Sequence, residues 1–365
     1  MTHASLPLDR RGLLGAAGAA AALGLAGRPG SARAQSAAPA ATATAPMEPV
    51  ITRRIGRTGR EVTALGLGTF LTFDLLPGQP RDRLRAVMAR YLAGGGGVVD
   101  TSPLYGSAET SVGAFLSEMP EGRGVFLANK IWSTGEYLGD TSHAQRSLEQ
   151  SRLRVWRDTI DLMQCHSLTN APVIVPLLQG WKREGLIGHV GVTHHESGFQ
   201  PELARFVESG AVDVVQTNYS IYDRAAEERL LPAAADRGVG VLVNLPLEKA
   251  RLMRVVEGRA LPDFAREFGA TSWAQFFLKW VIAHPAVSCV LCGTSDPAHM
   301  ADNLQALRGP LPDAAMRQRM LRHMETIPGF GRIGAMPWYP GKEAQYQGQI
   351  RQAQARARAR ARPAE

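Results

Sequence analysis

The chain has 365 residues, of which 45% are hydrophobic and 20% are charged, and these proportions exclude a chain that is disordered throughout. Its formal net charge of +8 first suggests an anionic partner, but four Arg and one Asp lie in residues 1–34, and five Arg and one Glu lie in residues 351–365. The rest of the chain is therefore near +1, which argues against a nucleic-acid-binding face on the folded domain.

Residues 1–34 have the pattern of an export signal. Arg10 and Arg11 precede an apolar run over residues 13–27, and an A-x-A cleavage site follows at residues 32–34. The paired arginines resemble a twin-arginine (Tat) signal, which implies the Tat export machinery as a partner and a periplasmic or secreted mature protein. Because the apolar run has 15 residues and a membrane span needs ~20, we expect no stable membrane anchor.

A β-hairpin is predicted to follow a linker. Residues 35–49 are rich in Ala, Thr and Pro, which is typical of a flexible linker. Residues 51–55 and 61–64 flank the turn sequence Gly-Arg-Thr-Gly at residues 56–59, and two such runs around turn residues indicate a short hairpin.

Apolar runs then alternate with amphipathic segments, which indicates strands separated by helices and hence a parallel sheet. The predicted strands cover residues 65–68, 97–100, 125–130, 159–166, 187–193, 212–218, 239–244 and 287–292. The predicted helices include residues 81–93, 141–156, 173–184, 201–209 and 225–236.

These units predict an α/β fold, a (β/α)8 TIM barrel with an N-terminal β-hairpin, because about 250 residues of such units is the size of a closed barrel. An open doubly wound sheet is the alternative, but no G-x-G-x-x-G follows the first strand and opens a helix. The barrel domain is predicted to span residues 50–326. Residues 327–365 form a C-terminal extension that ends in a basic tail.

The three cysteines, Cys165, Cys289 and Cys292, are an odd number and indicate no disulfide framework. Cys289 and Cys292 form a C-x-x-C pair within a predicted strand, where residues three apart point to opposite faces. We therefore expect three small buried apolar groups without a bridge. No metal site is predicted either, since the adjacent His194 and His195 lack the spacing of metal ligands.

Polar residues stand at the ends of three consecutive strands. Asp100 ends the second barrel strand, Lys130 the third and His166 the fourth, while Tyr105 lies in the loop after Asp100. A rim lysine or a core histidine would explain Lys130 or His166 taken singly. In a parallel barrel, however, these strand ends converge on one mouth, and packing alone poorly explains four such residues together.

The run from Asp100 to Glu109, Asp-Thr-Ser-Pro-Leu-Tyr-Gly-Ser-Ala-Glu, resembles the Asp-Thr-x-x-x-Tyr-Gly-x-x-Glu signature of the aldo-keto reductase family. Downstream segments match that family in the same order. The resemblance implies a TIM barrel, a small-molecule carbonyl substrate, and hydride transfer from a nicotinamide dinucleotide to an aldehyde or ketone. It also implies a catalytic tetrad, which consists of Asp100, Tyr105, Lys130 and His166.

Carbonyl reduction suits these four residue types. Tyr105 is the expected general acid, but a free phenol has a pKa of ~10, too high to donate readily near neutrality. We expect the ammonium of Lys130 to lower that pKa, and Asp100 to hold Lys130 charged in a dry pocket. His166 is expected to hydrogen-bond the substrate carbonyl and orient it.

The resemblance further implies a set of dinucleotide-binding positions at the strand ends and in the helix after the eighth strand. These positions are Gly68, Thr69, Thr193, His194, Gln216, Pro246, Leu247, Gly293, Thr294, Ser295, Asp302 and Asn303.

Two departures from the family pattern bear on the cofactor. The family usually has Ser-Asn where this chain has Thr193-His194, which still offers a hydroxyl and a ring nitrogen. Residues 293–299 contain Asp296 and lack the Lys and Arg that clamp the 2′-phosphate in strict NADPH users. The sequence therefore predicts NADP or NAD and leaves the preference open.

Two alternatives stay open at this level. The same fold serves as a non-turnover dinucleotide-binding or redox-sensing module in some family members, and the tetrad favours the enzyme. The aromatic segment at residues 329–340 either folds over the mouth, where it would shape the pocket with Phe70, Trp132 and Trp181, or packs on the outside of the barrel.

Overall fold

The predicted barrel is present in the computed structural model, which describes residues 48–132 and 139–341 together with 343–344, 347–348, 351–352 and 355. The predicted export signal, nearly all of the linker and the end of the basic tail lie outside the described residues. Within the described part, the strands are β1 (Thr52–Arg54), β2 (Glu61–Thr63), β3 (Leu65–Gly68), β4 (Val98–Asp100), β5 (Phe126–Ile131), β6 (Ile160–His166), β7 (Ile187–His194), β8 (Val214–Asn218), β9 (Gly240–Asn244) and β10 (Cys289–Cys292).

Strands β3 to β10 close into a barrel in which each strand runs parallel to the next along the chain, and β10 pairs with β3. Every strand predicted for the barrel is present, with ends that differ by at most two residues. All eight carboxyl ends therefore lie at one edge, where a parallel barrel gathers side chains from consecutive strands.

The N-terminal hairpin closes the opposite end of the barrel. β1 and β2 pair antiparallel, with Thr52 opposite Thr63, which confirms the predicted hairpin. Ile55 and Val62 from the hairpin pack with inward-facing side chains near the starts of the strands, among them Phe126. The turn needs glycine at Gly56, because its φ is +43° and a Cβ there would lie 2.0 Å from the carbonyl oxygen of Gly238.

Helices surround the barrel and bury their apolar faces against the outward sides of the strands. The α-helices of the described residues are α1 (Asp82–Ala93), α2 (Ala108–Glu118), α3 (Ser142–Val155), α4 (Ala171–Arg183), α5 (Gln200–Glu208), α6 (Leu230–Arg237), α7 (Arg251–Val255), α8 (Trp273–Ile282), α9 (Pro297–Leu304) and α10 (Ala314–Glu325). Among the described residues, no helix has the length and apolar character that crossing a membrane requires.

One helix differs from its prediction. The segment predicted as a single helix over residues 225–236 divides into a 3₁₀ turn (Ala225–Glu227) and α6, which begins at Leu230. Pro232 explains the break, since proline has no N–H to donate and its ring crowds the preceding turn, so it is best accommodated in the first turn of a helix, where it lies in α6.

The cysteine prediction is confirmed. All three cysteines are free and buried. Cys289 packs inside the barrel and Cys292 packs in the outer layer under the helices, so the two thiols lie on opposite faces of β10 as expected.

Candidate active site

The four predicted catalytic side chains meet at the carboxyl ends of the strands. Asp100 and His166 are the last residues of β4 and β6, Lys130 is the penultimate residue of β5, and Tyr105 lies in the loop after β4. The ring centroid of Tyr105 lies 4.8 Å from Lys130 Nζ and 5.8 Å from the ring centroid of His166. The sequence alone placed these residues at neighbouring strand ends, and the fold brings their side chains into one pocket.

Strand register explains why Lys130 reaches Asp100. β4 and β5 pair with Asp100 opposite Ala128, so Lys130 lies two residues farther along the same face of β5. Its ammonium donates to both carboxylate oxygens of Asp100, at 2.7 and 2.8 Å, and to the carbonyl oxygen of Thr101 at 2.8 Å. These three bonds use all three of the ammonium protons.

The ion pair is almost completely removed from water, since Asp100 is 3% exposed and Lys130 is 1% exposed. Burial raises the pKa of Asp100, and the neighbouring Lys130 partly offsets that rise. Burial likewise lowers the pKa of Lys130, and Asp100 partly offsets it. Each partner thus stabilises the charged form of the other against the cost of desolvation.

The acidity of Tyr105 differs from the sequence prediction. Burial raises the pKa of Tyr105 well above that of a free phenol, and the negative charge of Asp100 and the neighbouring phenol of Tyr339 raise it further. The ammonium of Lys130 lies over the ring, but burial and the charge of Asp100 outweigh any lowering by this cation, so the net direction is opposite to the expected one. Tyr105 is consequently protonated at neutral pH, the form that a proton donor needs.

His166 is held in one orientation by a residue that the sequence analysis missed. Ser102 Oγ lies 3.1 Å from His166 Nδ1 and accepts a hydrogen bond from the backbone N–H of Leu104 at 3.1 Å. Burial, followed by Lys130 and the neighbouring histidines, lowers the pKa of His166 well below its ordinary value, so the ring is neutral. We assign the Ser102 hydroxyl as the donor to Nδ1, which leaves the ring proton on Nε2 and directs it toward the pocket.

Glu109, the last residue of the signature, lies outside the pocket. Its carboxylate accepts hydrogen bonds from Asn129 Nδ2 (2.9 Å), Ser151 Oγ (2.6 Å) and Arg154 Nη1 (2.8 Å). The buried side chain therefore ties α2 to β5 and α3, which is a structural role.

The predicted dinucleotide-binding residues surround the same mouth. Thr193 and His194 end β7, and Gln216 lies opposite Thr193 on β8. Gly68 ends β3 and Thr69 follows it, and Thr69 Oγ1 donates to the carbonyl oxygen of Asp100 at 2.9 Å.

The remaining predicted positions follow β9 and β10. Pro246 and Leu247 lie directly after β9, and Gly293, Thr294 and Ser295 lie directly after β10. Their contact with a dinucleotide stays a prediction.

Two predicted residues of α9 have partners within the protein. Asp302 accepts hydrogen bonds from Ser272 Oγ and Gln275 Nε2, both at 2.6 Å, so its carboxylate is engaged with the start of α8. Asn303 is buried in the same helix. The structure thus gives Asp302 a helix-anchoring contact that sequence position did not indicate.

Buried acceptors near the mouth fit a nicotinamide carboxamide. Gln164 Oε1 on β6 and Asn244 Oδ1 at the end of β9 are buried and have no hydrogen-bond partner among the described residues. Leaving such an acceptor unpaired costs about 1–3 kcal/mol. The amide of Gln164 donates to Gln216 at 2.8 Å, which places the first of these acceptors beside a predicted dinucleotide-binding residue. A carboxamide N–H₂ group is the kind of donor these oxygens lack.

An arginine that is far away in sequence lies beside the segment predicted to bind the phosphate of the dinucleotide. Asp296 caps α9 by accepting from the backbone N–H of Ala298 at 2.8 Å, and it forms a 2.9 Å ion pair with Arg83 of α1. Residues 293–299 contain no Lys or Arg, and Arg83 is more than 200 positions away along the chain, so the local sequence did not indicate this cation.

The C-terminal segment lies over the mouth, which decides between the two placements that the sequence left open. The backbone N–H of Tyr339 donates to the carbonyl oxygen of Lys249 at 3.0 Å, and Tyr339 is close enough to Tyr105 to raise its pKa. Phe70 packs against Tyr105 with ring centroids 5.0 Å apart, as expected of a pocket-lining residue. Trp181 was predicted to line the pocket, but it packs instead in the outer core as part of α4.

Comparison with known proteins finds one matching family and several similar proteins. A family model described as "Aldo/keto reductase family" matches residues 64–319. The chain is 25% identical to the NADH-specific methylglyoxal reductase of Escherichia coli over 264 residues, which are 60% of this chain and 80% of the relative. It is also 25% identical to the L-galactose dehydrogenase of Arabidopsis thaliana over 305 residues, 77% of this chain and 95% of that one. Among solved structures, an aldo/keto reductase from Klebsiella pneumoniae in complex with NADP and acetate is similar at a TM-score of 0.63 and 25% identity, covering 74% of this chain and 94% of that chain.

Proposed function

The chain belongs to the aldo/keto reductase family, and we propose that it reduces an aldehyde or ketone to the alcohol with a hydride taken from a nicotinamide dinucleotide. The observation that carries this proposal is the buried Asp100–Lys130 pair beside the phenol of Tyr105 and the neutral ring of His166. When bound, the reduced dinucleotide supplies the hydride, and the protein must supply the proton and the orientation.

Tyr105 is the proton donor in this proposal. As the hydride reaches the carbonyl carbon, the C=O π bond breaks toward oxygen, and the proton of Tyr105 Oη transfers to that oxygen. The phenolate that remains lies beside the ammonium of Lys130, whose charge stabilises it in a pocket of low dielectric. Asp100 keeps Lys130 protonated and in place. Reprotonation from solvent then completes the cycle.

His166 orients the substrate. Its Nε2–H donates to the carbonyl oxygen, and the bond to Ser102 holds the ring so that this nitrogen carries the proton. A neutral donor suits this position, because a second cation beside Lys130 would be disfavoured in the buried site. Positioning of this kind aligns the carbonyl before the chemical step.

The dinucleotide is proposed to bind across the strand ends, with its carboxamide at Thr193, Gln216 and the unpaired acceptors of Gln164 and Asn244. We propose that NADH serves about as well as NADPH. The E. coli relative is NADH-specific by name, whereas the Klebsiella structure contains NADP. In this chain Arg83 is engaged with Asp296 at the phosphate end, which weakens the clamp that a 2′-phosphate would require.

We also propose that the mature protein is exported in folded form by the Tat machinery and acts in the periplasm or outside the cell. The support is the sequence of residues 1–34, in which Arg10-Arg11, a short apolar run and an A-x-A site follow one another.

The test of the reductase proposal compares two phenols that lie close together. We expect Tyr105→Phe to lower turnover of a reducible aldehyde by roughly 10²–10⁴, because the substitution keeps the ring and removes the donated proton. Tyr339→Phe is the matched control, since it makes the same change in the neighbouring phenol and should lower turnover far less. Dinucleotide oxidation is followed by absorbance, and the dissociation constant of the dinucleotide by titration.

Near-normal turnover in Tyr105→Phe would refute the catalytic assignment. The non-turnover dinucleotide-binding module would then be the better account, provided that the dinucleotide still binds. A large loss in Tyr339→Phe alone would instead transfer the role of acid to Tyr339.

A further inference from the structure

A buried lysine outside the tetrad faces the same mouth. Lys249 lies in the loop between β9 and α7, and it is 7% exposed. Glu248, Lys249 and Ala250 have φ angles of +51°, +50° and +67°, a left-handed conformation that residues other than glycine rarely adopt in succession. Such a backbone persists only where surrounding contacts hold it.

Those contacts come from the loop itself and from the C-terminal segment. Glu248 accepts from Ser220 Oγ at 2.7 Å and pairs with Arg251 at 2.6 Å. Arg251 also donates to the carbonyl oxygen of Ile333 at 3.2 Å, and the carbonyl oxygen of Lys249 accepts from the backbone N–H of Tyr339. The loop is therefore fixed between the barrel and the segment that covers the mouth.

The ammonium of Lys249 has no carboxylate partner within ion-pair distance among the described residues. Glu248 is engaged by Arg251 and Ser220, as described above. Glu196 is the other carboxylate that acts on Lys249, and its side chain is 62% exposed and lies 3.6 Å from His195. Buried cations are normally paired with an anion, so a buried ammonium that has no carboxylate partner in a pocket wall is suited to an anionic ligand.

The side chains around Lys249 place it on the substrate side of the pocket. Its ammonium lies over the indole ring of Trp338, and Trp338 also packs edge-on against His195 with ring centroids 6.2 Å apart. Burial, followed by the charge of Lys249, lowers the pKa of His195 to about 4. His195 also contributes to the lowered pKa of His166, after burial and Lys130. His195 is therefore close to both Lys249 and His166, and its own ring is neutral near pH 7.

We propose that Lys249 is an anion-binding group of the substrate pocket, so that the protein selects carbonyl compounds that carry a carboxylate or phosphate. This inference rests on the proposed reductase function. The pyrophosphate of the dinucleotide is a second possible anion for Lys249, because Pro246 and Leu247, two predicted dinucleotide-binding residues, precede it in the loop. The contact of Lys249 with Trp338 and its link to His195 favour the substrate.

The experiment uses two aldehydes of the same shape that differ in charge, 4-carboxybenzaldehyde and 4-carbamoylbenzaldehyde. We expect Lys249→Met to lower kcat/KM for the carboxylate by about 10- to 100-fold, the usual effect of losing one hydrogen bond between charged groups. The value for the amide should stay nearly constant, and the dissociation constant of the dinucleotide should not change. Lys249→Arg is the matched control, because it keeps the charge and should retain the preference for the carboxylate.

Protonation gives a second readout on the unmodified protein. Burial, followed by the charge of Arg251, lowers the pKa of Lys249 to about 7, while Glu248 and Glu196 oppose the shift. The ammonium that binds the anion is present below this pKa and lost above it. The ratio of kcat/KM for the carboxylate over the amide should therefore fall as the pH rises above about 7, because kcat/KM reports the protonation of the free enzyme. In Lys249→Arg the ratio should not depend on pH, because arginine stays protonated.

Several outcomes overturn the inference. Equal losses for both aldehydes in Lys249→Met would mean that the side chain only shapes the pocket. Weaker dinucleotide binding with an unchanged carboxylate-to-amide ratio would assign Lys249 to the pyrophosphate. If the wild-type protein reduces neither aldehyde, the proposed function fails, and calorimetric titration with terephthalate still decides the anion site: binding that is lost in Lys249→Met supports the site, and equal binding by both proteins overturns it.

Discussion

Replacing Asp100 with asparagine should show how strongly the stability of the fold depends on the anion that pairs with Lys130. The substitution keeps the shape of the side chain and removes its charge, which leaves the ammonium of Lys130 at 1% exposure with uncharged partners only. At the observed N–O distance of 2.7 Å, the lost attraction is about 6 kcal/mol for an effective dielectric of 20. Deprotonation of Lys130 limits the penalty, since forcing a lysine neutral at pH 7 costs at most about 5 kcal/mol. We therefore expect a destabilisation of about 3–5 kcal/mol, as for other broken buried pairs.

Urea unfolding at pH 7 measures this change in the free energy of unfolding. The matched variant is the double substitution Asp100→Asn with Lys130→Met, which removes both charges. We expect the double variant to recover most of the stability lost in Asp100→Asn, because no unpaired charge remains. Turnover should stay lost in both variants, since the double variant also lacks the ammonium beside Tyr105.

The pH dependence of stability tests whether the unpaired charge of Lys130 causes the destabilisation. In Asp100→Asn, the pKa of Lys130 in the folded state lies below its unfolded value of about 10.4, so the unfolded chain binds more protons between those two values. Stability of that variant should rise as the pH increases toward about 10. Either of two results would refute this explanation: Asp100→Asn lowers the free energy of unfolding by less than about 1 kcal/mol, or the double variant is less stable than Asp100→Asn. Each would show that the unpaired charge of Lys130 does not cause the destabilisation.

Two further predictions concern the cofactor and the destination of the protein. NADPH should bind no more than modestly better than NADH, and Asp296→Ala should improve NADPH binding by freeing Arg83. A thousand-fold preference of the wild-type protein for NADPH, about 4 kcal/mol, would mean that a phosphate clamp lies elsewhere. Replacing Arg10 and Arg11 with lysines should leave a folded precursor inside the cell, as judged by fractionation and by mass measurement of the N-terminus. Normal export of that variant would contradict the Tat proposal.

The sequence was sufficient to predict the barrel and the positions of the tetrad. Local apolar runs predict each strand, and in a parallel barrel the carboxyl ends of all strands lie at one edge. Asp100, Lys130 and His166 could therefore be assigned to one pocket before any contact was known. The hairpin followed from its turn residues, and the cysteines from the alternation of side chains along a strand.

Several features of the site depended on contacts that no local pattern encodes. The pKa of Tyr105 is raised by burial and by the charge of Asp100, so the direction predicted from the proximity of a cation was wrong. Arg83 reaches Asp296 from α1, which lies more than 200 residues earlier in the chain. Ser102 has a role in orienting His166 only because the loop between Asp100 and Tyr105 turns back toward β6.

What the sequence by itself determined is thus the order of the elements and the residue types at the strand ends, both of which follow from short-range periodicity. Only the tertiary structure decided where the C-terminal segment lies and how Lys249 faces the mouth. The left-handed backbone at Glu248, Lys249 and Ala250 is disfavoured for each of these residues in isolation, so their sequence does not predict it. It exists because Arg251, Ser220 and the covering segment hold the loop in that shape, and such long-range constraints arise only once the chain has folded.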